Sequence, residues 1–160
     1  MIMGVGIDIV ENIRISRVVA KYEKGFLRKV LHSKEQIEYN NIKVENKRIQ
    51  YLTSRWAVKE ALVKAIGNKS IVYSNVYLDK EPSGKPIIKI DKHVLDPSNS
   101  PFQYIKEKEE REERENEVLH NYEYINRVTH SAENGFLCSI SHEEHFSTAV
   151  VIHTKNVTRI

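Results

Sequence analysis

The chain has 160 residues, of which 40% are hydrophobic and 29% are charged, and its 25 Lys and Arg and 22 Asp and Glu give a formal net charge of +3. This length and composition are typical of one globular domain. No stretch approaches the roughly 18 consecutive apolar residues that a membrane-spanning helix needs. The single cysteine, Cys138, excludes an internal disulfide. We therefore expect neither an integral membrane protein nor a disulfide-stabilised domain.

The positive charge lies mainly in the N-terminal part of the chain. Residues 1–64 hold 13 Lys and Arg and 7 Asp and Glu, whereas residues 106–117 hold 4 basic and 7 acidic side chains. A basic surface attracts anionic partners, although a charged run taken alone is usually a solvated surface. No nucleic-acid-binding motif accompanies the basic residues, so a nucleic-acid partner is not expected.

A strand is predicted at the start of the chain, and helices follow it. The first ten residues alternate as a half-buried strand does, with Val5, Ile7 and Ile9 on the apolar face. Asp8 is then expected to project from the opposite face. Short helices are predicted over residues 14–34. The core candidates of that region are Ile13, Val18, Phe26, Leu27, Val30 and Leu31.

A long helix is predicted for residues 47–66. Apolar side chains recur there at helical spacing, and Gly67 supplies a C-terminal stop. A shorter helix, from Ser33 to about Asn41, precedes it, because Ser33 and Gln36 fit a capping box. We expect the long helix to be the central packed helix of the domain.

Strands are predicted in the second half of the chain. Residues 71–79 and 86–91 read as a hairpin joined by a loop with Pro and Gly, and residues 136–141 and 147–153 read as an antiparallel pair. The region between them, at about 93–132, is charged and poor in apolar residues, which predicts an insertion that is either an exposed helix or disordered. The whole chain is thus predicted to be a single α+β domain in which an antiparallel sheet packs against a long central helix.

Three side chains could together hold a metal ion and a phosphate. Asp8 lies in the first strand beside two glycines, where a ligand could approach the backbone, and Glu60 and Lys64 lie one turn apart on the long helix. The simplest interpretation is a solvated carboxylate and a surface ion pair of about 0.3–0.5 kcal/mol. Alternatively, Asp8 and Glu60 bind a hard cation such as Mg²⁺, which uses one or two carboxylates together with phosphate oxygens, while Lys64 binds the phosphate.

Other motifs do not support a site of their own. The sequence HEEH at 142–145 lacks the spacing that places two histidines of a zinc site on one helical face. Cys138, within a predicted strand, is better interpreted as a small buried hydrophobe than as a nucleophile. The glycine-rich loops of standard nucleotide-binding folds are absent from the sequence. Any phosphate must therefore be held mainly by side chains.

Four segments along the chain together match a known family. They are Gly4–Val10 with Arg14, Trp56–Ala61 with Lys64 and Gly67, Gly84–Pro86, and Ser139–Glu143. In this order they resemble holo-acyl-carrier-protein synthase, the short single-domain branch of the 4′-phosphopantetheinyl transferase superfamily. The resemblance extends from residue 2 to about residue 153 and fails only over about 93–132. It implies the fold of that superfamily.

The resemblance also implies an enzyme activity. Family members transfer 4′-phosphopantetheine from coenzyme A (CoA) to a serine hydroxyl of apo-acyl carrier protein, with Mg²⁺ as cofactor and 3′,5′-ADP as the other product, in support of fatty-acid biosynthesis. The serine oxygen attacks the β-phosphorus of CoA, and either a metal-bound water near Asp8 or a carboxylate such as Glu60 takes the serine proton. The implied catalytic residues are Asp8, Glu60 and Lys64, with Asp8 and Glu60 as metal ligands. The implied CoA contacts are Lys47, Arg48, Arg55, Lys64, Gly84, Lys85, Pro86 and His142.

Partners and location follow from the same resemblance. Acyl carrier proteins are acidic, and the family's docking helix follows the first strand, so Arg14, Phe26 and Arg28 are the docking candidates. Members form homotrimers with each active site at a subunit interface. The implied location is the cytoplasm of a bacterium or, given the Lys/Glu/Asn-rich insertion, a plastid-like lumen in a eukaryotic parasite after removal of a targeting segment. The competing hypothesis is a basic, non-enzymatic binding module for an acidic protein or nucleic acid.

Overall fold

The computed structural model describes residues 1–67, 71–91 and 134–155. The predicted insertion at 93–132 lies outside these residues. The elements in chain order are β1 (Ile2–Glu11), α1 (Asn12–Val30), α2 (Ser33–Asn41), α3 (Glu45–Ile66), a 3₁₀ turn (Tyr73–Asn75), β2 (Val76–Lys80), β3 (Pro86–Ile90), β4 (Asn134–His142) and β5 (Phe146–Lys155). This order of helices and strands confirms the predicted α+β class.

The strands form two antiparallel sheets. β5 lies in the middle of a three-stranded sheet in the order β1-β5-β4, and β2 and β3 form a separate hairpin. Both predicted strand pairs are therefore confirmed. The predicted start of the strand at residues 71–79 was wrong, because Tyr73–Asn75 form a 3₁₀ turn and β2 begins only at Val76. The consecutive β-branched and aromatic residues Ile71, Val72 and Tyr73 favour a strand by their local propensity.

The face of β1 that packs on α3 is the glycine face. A Cβ built on Gly6 would lie 1.9 Å from the carbonyl oxygen of Ala61, which shows how closely the helix backbone approaches the strand. Val5, Ile7 and Ile9 lie on the opposite side and are 58–65% exposed. The prediction that these three residues face the core was wrong, because only the glycine face lets the helix come so near. Asp8, on the glycine face, consequently points towards α3.

Replacing Gly6 by Ala is expected to destabilise the fold. The new methyl group would overlap backbone atoms of α3, which cannot rotate away as a side chain could, and overpacking of this kind costs about 1–3 kcal/mol or more. Chemical denaturation measures the loss. Gly25→Ala is the matched control, since a Cβ at Gly25 meets nothing within 4 Å and Ala favours the helix. Equal effects of the two substitutions would contradict the close approach.

α1 has a kink at Tyr22, where a φ of −136° and a ψ of 25° are not helical, so it consists of two helical segments. This break agrees with the prediction of short helices over residues 14–34. The helix begins at Asn12, and its inward face holds Ile15, whereas Ile13 is 53% exposed. Ile13 was therefore wrongly predicted as a core residue, while Val30 and Leu31 are buried as expected.

α2 begins with a capping box, but one residue earlier than predicted. The ring of His32 accepts a hydrogen bond from the backbone N–H of Lys34, and the carboxylate of Glu35 accepts one from the backbone N–H of His32. Ser33 and Gln36 were predicted to fill these two positions. The imidazole, which can accept through Nδ1, takes the place of the expected hydroxyl.

α3 is the central helix, as predicted. It packs against both the three-stranded sheet and α1, and Leu52, Val58 and Leu62 on it are fully buried. It ends at Ile66, and Gly67 adopts a left-handed conformation with φ of 75°. Within the described part of the chain, no helix combines the length and the apolar character needed to cross a bilayer.

Candidate functional site

Asp8 and Lys64 meet where β1 crosses α3. The ammonium group of Lys64 donates hydrogen bonds to Asp8 Oδ1 at 2.8 Å and to the carbonyl oxygen of Ile7 at 2.9 Å. The Asp8 side chain is 15% exposed and that of Lys64 is 50% exposed. The ion pair of Lys64 thus crosses from helix to strand, and an anionic ligand can still reach its ammonium group.

Glu60 lies on α3 one turn before Lys64, near the hydroxyl of Tyr73. Burial, the hydrogen bond to Glu60 and the negative charges of Glu60 and Asp8 all raise the pKa of Tyr73. The charges of both carboxylates therefore act on this one phenol. The Tyr73 ring is held edge-on against Trp56, with 5.6 Å between ring centroids.

Tyr73 was not predicted as a site residue. It lies in a segment that was predicted to be a strand, and a tyrosine in a strand is ordinary. Only the 3₁₀ turn over Tyr73–Asn75, which no local sequence signal indicated, places the ring beside Trp56 and Glu60.

The two carboxylates fit a magnesium ion better than a zinc ion. Mg²⁺ is held in proteins by one or two carboxylates, with waters and substrate phosphates as its other ligands. Among the described residues, no three His, Cys, Asp or Glu side chains converge as a metal site of their own. Asp8 and Glu60 supply hard oxygen donors, and the Lys64 ammonium stands next to them for a phosphate.

A cleft of about 1040 Å³ lies at the C-terminal end of β1, three residues beyond Asp8. Its walls are the junction of β1 with α1, the first turns of α3 and the turn between β4 and β5. Lys47 and His142, two of the predicted CoA contacts, both line this cleft. Glu143 and Glu144 of the β4–β5 turn also line it.

Two other predicted CoA contacts are held inside the monomer. Arg55 is largely buried and pairs with Glu35 at 3.3 Å and with Glu38 at 3.4 Å. Arg48 lies over the ring of Tyr39, 4.6 Å from its centroid. A nucleotide phosphate would have to compete with these contacts, so their role in CoA binding stays a prediction.

Gly84, Lys85 and Pro86 lie at the tip of the β2–β3 hairpin. Gly84 has φ of 86°, a conformation that favours glycine, and its N–H donates to the carbonyl oxygen of Glu81 at 2.8 Å. Among the described residues, no hydrogen bond or ion pair joins this turn to Asp8 or to the cleft. The predicted site residues thus fall into four groups in the monomer: around Asp8, in the cleft, at Arg48 and Arg55, and at the hairpin tip.

The predicted docking residues lie on α1, but in two different environments. Arg14 and Arg28 are exposed, whereas Phe26 is half-buried and stacks on Trp56 with 5.4 Å between ring centroids. Phe26 therefore contributes more to the packing of α1 on α3 than to its outer surface. The exposed basic residues of α1 recur at spacings of three and four, and they are Arg14, Arg17, Lys21, Lys24 and Arg28. Three of these five were not predicted, although their periodicity was readable from the sequence.

Cys138 is buried, as predicted, and burial raises the pKa of its thiol to about 11. A thiol that stays protonated at neutral pH is a poor nucleophile. This residue is therefore part of the sheet packing.

Comparison with known proteins supports the predicted resemblance. The sequence profile described as the 4′-phosphopantetheinyl transferase superfamily matches residues 4–123. The holo-[acyl-carrier-protein] synthase of Wolbachia sp. subsp. Brugia malayi is 38% identical over 101 residues, which are 59% of this chain and 78% of that protein. The same enzyme of Buchnera aphidicola subsp. Acyrthosiphon pisum is 37% identical over 97 residues, 59% of this chain and 75% of that protein.

A solved structure confirms the fold. The holo-(acyl-carrier-protein) synthase of Bacillus anthracis, in complex with CoA (3′,5′-ADP), superimposes with a TM-score of 0.65 at 23% sequence identity, covering 98% of this chain and 99% of that one. The profile match ends at residue 123 and so extends into the region predicted as an insertion. The matched residues include Asp8, Glu60 and Lys64.

Proposed function

Because the chain belongs to the 4′-phosphopantetheinyl transferase superfamily, we propose that it transfers the 4′-phosphopantetheine arm of CoA to a serine of an apo-acyl carrier protein, in support of fatty-acid biosynthesis. The relatives that it matches are named holo-[acyl-carrier-protein] synthase, and one solved relative was determined with CoA (3′,5′-ADP). The observation that carries the proposal is the convergence of Asp8, Glu60 and Lys64 where β1 meets α3. A non-enzymatic binding module would not need this arrangement.

The reaction transfers one 4′-phosphopantetheinyl group through its phosphorus atom. The serine oxygen bonds to the β-phosphorus of CoA and gives up its proton, while the bond from that phosphorus to the bridging oxygen breaks and 3′,5′-ADP leaves. Lys64, already hydrogen-bonded beside Asp8, is placed to neutralise phosphate oxygens as charge shifts onto the leaving group. Asp8 or Glu60 would accept the proton that the serine loses, either directly or through a water molecule.

Asp8 and Glu60 would also hold Mg²⁺. When bound, the ion supplies positive charge to the pyrophosphate oxygens. Tyr73, whose hydroxyl interacts with Glu60, would help to orient that carboxylate. Lys47 and His142 in the cleft are assigned to CoA on the basis of the family resemblance.

We further propose that the active unit is a homotrimer with sites at subunit interfaces. Val5, Ile7 and Ile9 form an exposed apolar row on β1, and the outer face continues across the sheet to Leu137 on β4, which is 47% exposed. Apolar surface of this extent is commonly covered by another chain. A second copy could also bring together groups of site residues that lie apart in one chain. A solution mass of three chains supports this assembly, and a monomer at assay concentration contradicts it.

The decisive test of the activity is a mass measurement. The purified chain is incubated with CoA, MgCl₂ and an apo-acyl carrier protein, and the carrier is weighed by mass spectrometry. A mass gain of one phosphopantetheine arm is expected. A carrier whose acceptor serine is replaced by Ala, and a reaction with a chelator of Mg²⁺, serve as controls. If the carrier with its serine intact gains no mass, the proposed function is wrong.

Reversing a charge on the basic row of α1 is expected to weaken carrier binding selectively. Arg14→Glu should raise the KM for the carrier protein about tenfold, with little change in the KM for CoA, because a surface charge mainly affects the encounter with a charged partner. Added salt should reduce the difference between this variant and the wild type. Lys89→Glu, a charge reversal at an exposed position of β3, is the control. A similar rise in both KM values would rule out Arg14 as a docking residue.

A further inference from the structure

Asn12, the first residue of α1, makes three hydrogen bonds to the turn between β4 and β5 and a fourth to Ser147 in β5. Its backbone N–H donates to the carbonyl oxygen of His145 at 2.8 Å. Its side-chain Nδ2 donates to the carbonyl oxygens of Glu143 at 3.1 Å and of Glu144 at 2.9 Å. Its Oδ1 accepts from the hydroxyl of Ser147 at 3.2 Å. Asn12 thus bonds to each of the three residues of the turn, 143–145, through its backbone and its side chain.

The polar contacts continue from this residue into α3. The hydroxyls of Ser54 and Ser147, both buried, lie 3.4 Å apart. Gln50, one turn before Ser54, donates from Nε2 to the carbonyl oxygen of Glu143 at 3.2 Å. The β4–β5 turn is therefore held by side chains of both α1 and α3.

The position of Asn12 indicates that these bonds do more than fill the interior. Asn12 is only 9% exposed. A buried amide stabilises a fold little unless its polar atoms are hydrogen-bonded. Here both hydrogens of Nδ2 and the oxygen Oδ1 are used. A fully paired polar group permits one arrangement of its neighbours, whereas an apolar contact permits several.

The turn that Asn12 holds forms one wall of the cleft. His142 lies directly before the turn and is paired across the strands with Ser147, the residue whose hydroxyl donates to Asn12. Asn12 also follows β1, so it connects the strand that carries Asp8 with the turn that follows His142. The group around Asp8 and the group in the cleft are thus linked through Asn12.

We propose that Asn12 is a positioning residue, which fixes the β4–β5 turn and His142 against α1 and α3 so that the cleft keeps the shape that receives CoA. This inference rests on the proposed function, in which the cleft and His142 are assigned to CoA.

The test compares Asn12→Leu, which has a similar size and no polar side-chain atoms, with the wild-type chain. The dissociation constant for CoA with Mg²⁺, measured by calorimetry, is expected to rise about tenfold, since two or three hydrogen bonds are lost. Hydrogen–deuterium exchange over residues 143–146 should become faster. The KM for the carrier protein should stay within about twofold. Gln50→Leu, which removes one bond to the same turn, should have a smaller effect in the same direction.

Asn41→Leu, the same substitution at an exposed position at the end of α2, is the control and should change neither measurement. Unchanged exchange in the turn, or unchanged CoA affinity in Asn12→Leu, overturns the proposal. A lower melting temperature without the selective loss of CoA affinity would also overturn it, since Asn12 would then be only structural. Both readouts are independent of transfer, so a wild-type chain that binds CoA but loads no carrier would refute the proposed function and leave this test decisive.

Discussion

Replacing Asp8 by Asn, or Glu60 by Gln, is expected to reduce phosphopantetheine transfer by about a hundredfold or more, because each substitution removes a charge proposed to hold Mg²⁺ while keeping the size of the side chain. The fold should survive. The pair of Asp8 with Lys64 reaches the surface, and pairs of that kind contribute about 1 kcal/mol or less. Initial rates of carrier loading across a range of Mg²⁺ concentrations measure the effect.

The pattern of the loss is informative. A variant whose rate recovers partly at high Mg²⁺ has lost affinity for the ion, as expected of a ligand. Asp79→Asn is the control, because Asp79 is an exposed carboxylate on β2 outside the site. If Asp8→Asn and Glu60→Gln keep wild-type rates and the same dependence on Mg²⁺, these carboxylates are not the metal ligands.

Replacing Glu35 by Gln is expected to cost about 3–5 kcal/mol of stability, because it leaves a buried ammonium group without its counter-ion. Lys59 is fully buried and donates to Glu35 Oε2 at 2.5 Å and to the carbonyl oxygen of Val30 at 2.7 Å. Glu35 also pairs with Arg55 and accepts a hydrogen bond from the backbone N–H of Leu78. Urea denaturation at pH 7 measures the loss.

Glu38→Gln is the matched control for this substitution. Glu38 also pairs with Arg55, but its side chain is 55% exposed, and its loss should cost less than about 1 kcal/mol. Equal losses in the two variants would show that Glu35 does not have the central role that its burial indicates.

The same cluster predicts how stability changes with pH. Burial lowers the pKa of Lys59 to about 8, against an ordinary 10.5, although Glu35 acts in the opposite direction. Between these two values the unfolded chain keeps a proton that the folded chain has released, so the contribution of Lys59 to the free energy of unfolding rises with pH. In Glu35→Gln the pKa of Lys59 should fall further, and the rise should begin at a lower pH. The free energy of unfolding is measured against pH for the wild type and for Glu35→Gln, and the difference between the two curves gives the contribution of Lys59.

Elements with a strong local signal could be predicted from the sequence. The apolar periodicity of residues 47–66 and the glycine after it indicated α3, and the alternation near the C-terminus indicated the pairing of β4 with β5. Asp8, Glu60 and Lys64 could be selected because their residue types and the motifs around them matched a known family. These signals depend on residues close together in the chain.

What could not be predicted depends on contacts between distant segments. The alternation of β1 showed two faces but could not show which of them meets α3, since glycines and large apolar residues both suit a buried strand. Lys59 resembled a surface lysine of a helix, and its burial depends on Glu35, 24 residues earlier. Tyr73 reaches Glu60 only through a 3₁₀ turn. In each case the deciding partner is encoded elsewhere in the sequence.

The contact of Gly4 and Gly6 with α3 has a mechanical consequence for catalysis. Backbone touches backbone there, without a flexible side chain between them, so the strand that carries Asp8 and the helix that carries Glu60 have almost no freedom to slide or separate. The separation of the backbone positions that carry Asp8 and Glu60 is therefore set by direct contact between peptide groups. Side-chain rotation, which loosens most protein interiors, has little effect on such a contact, so the backbones of the two proposed metal ligands would keep a constant separation.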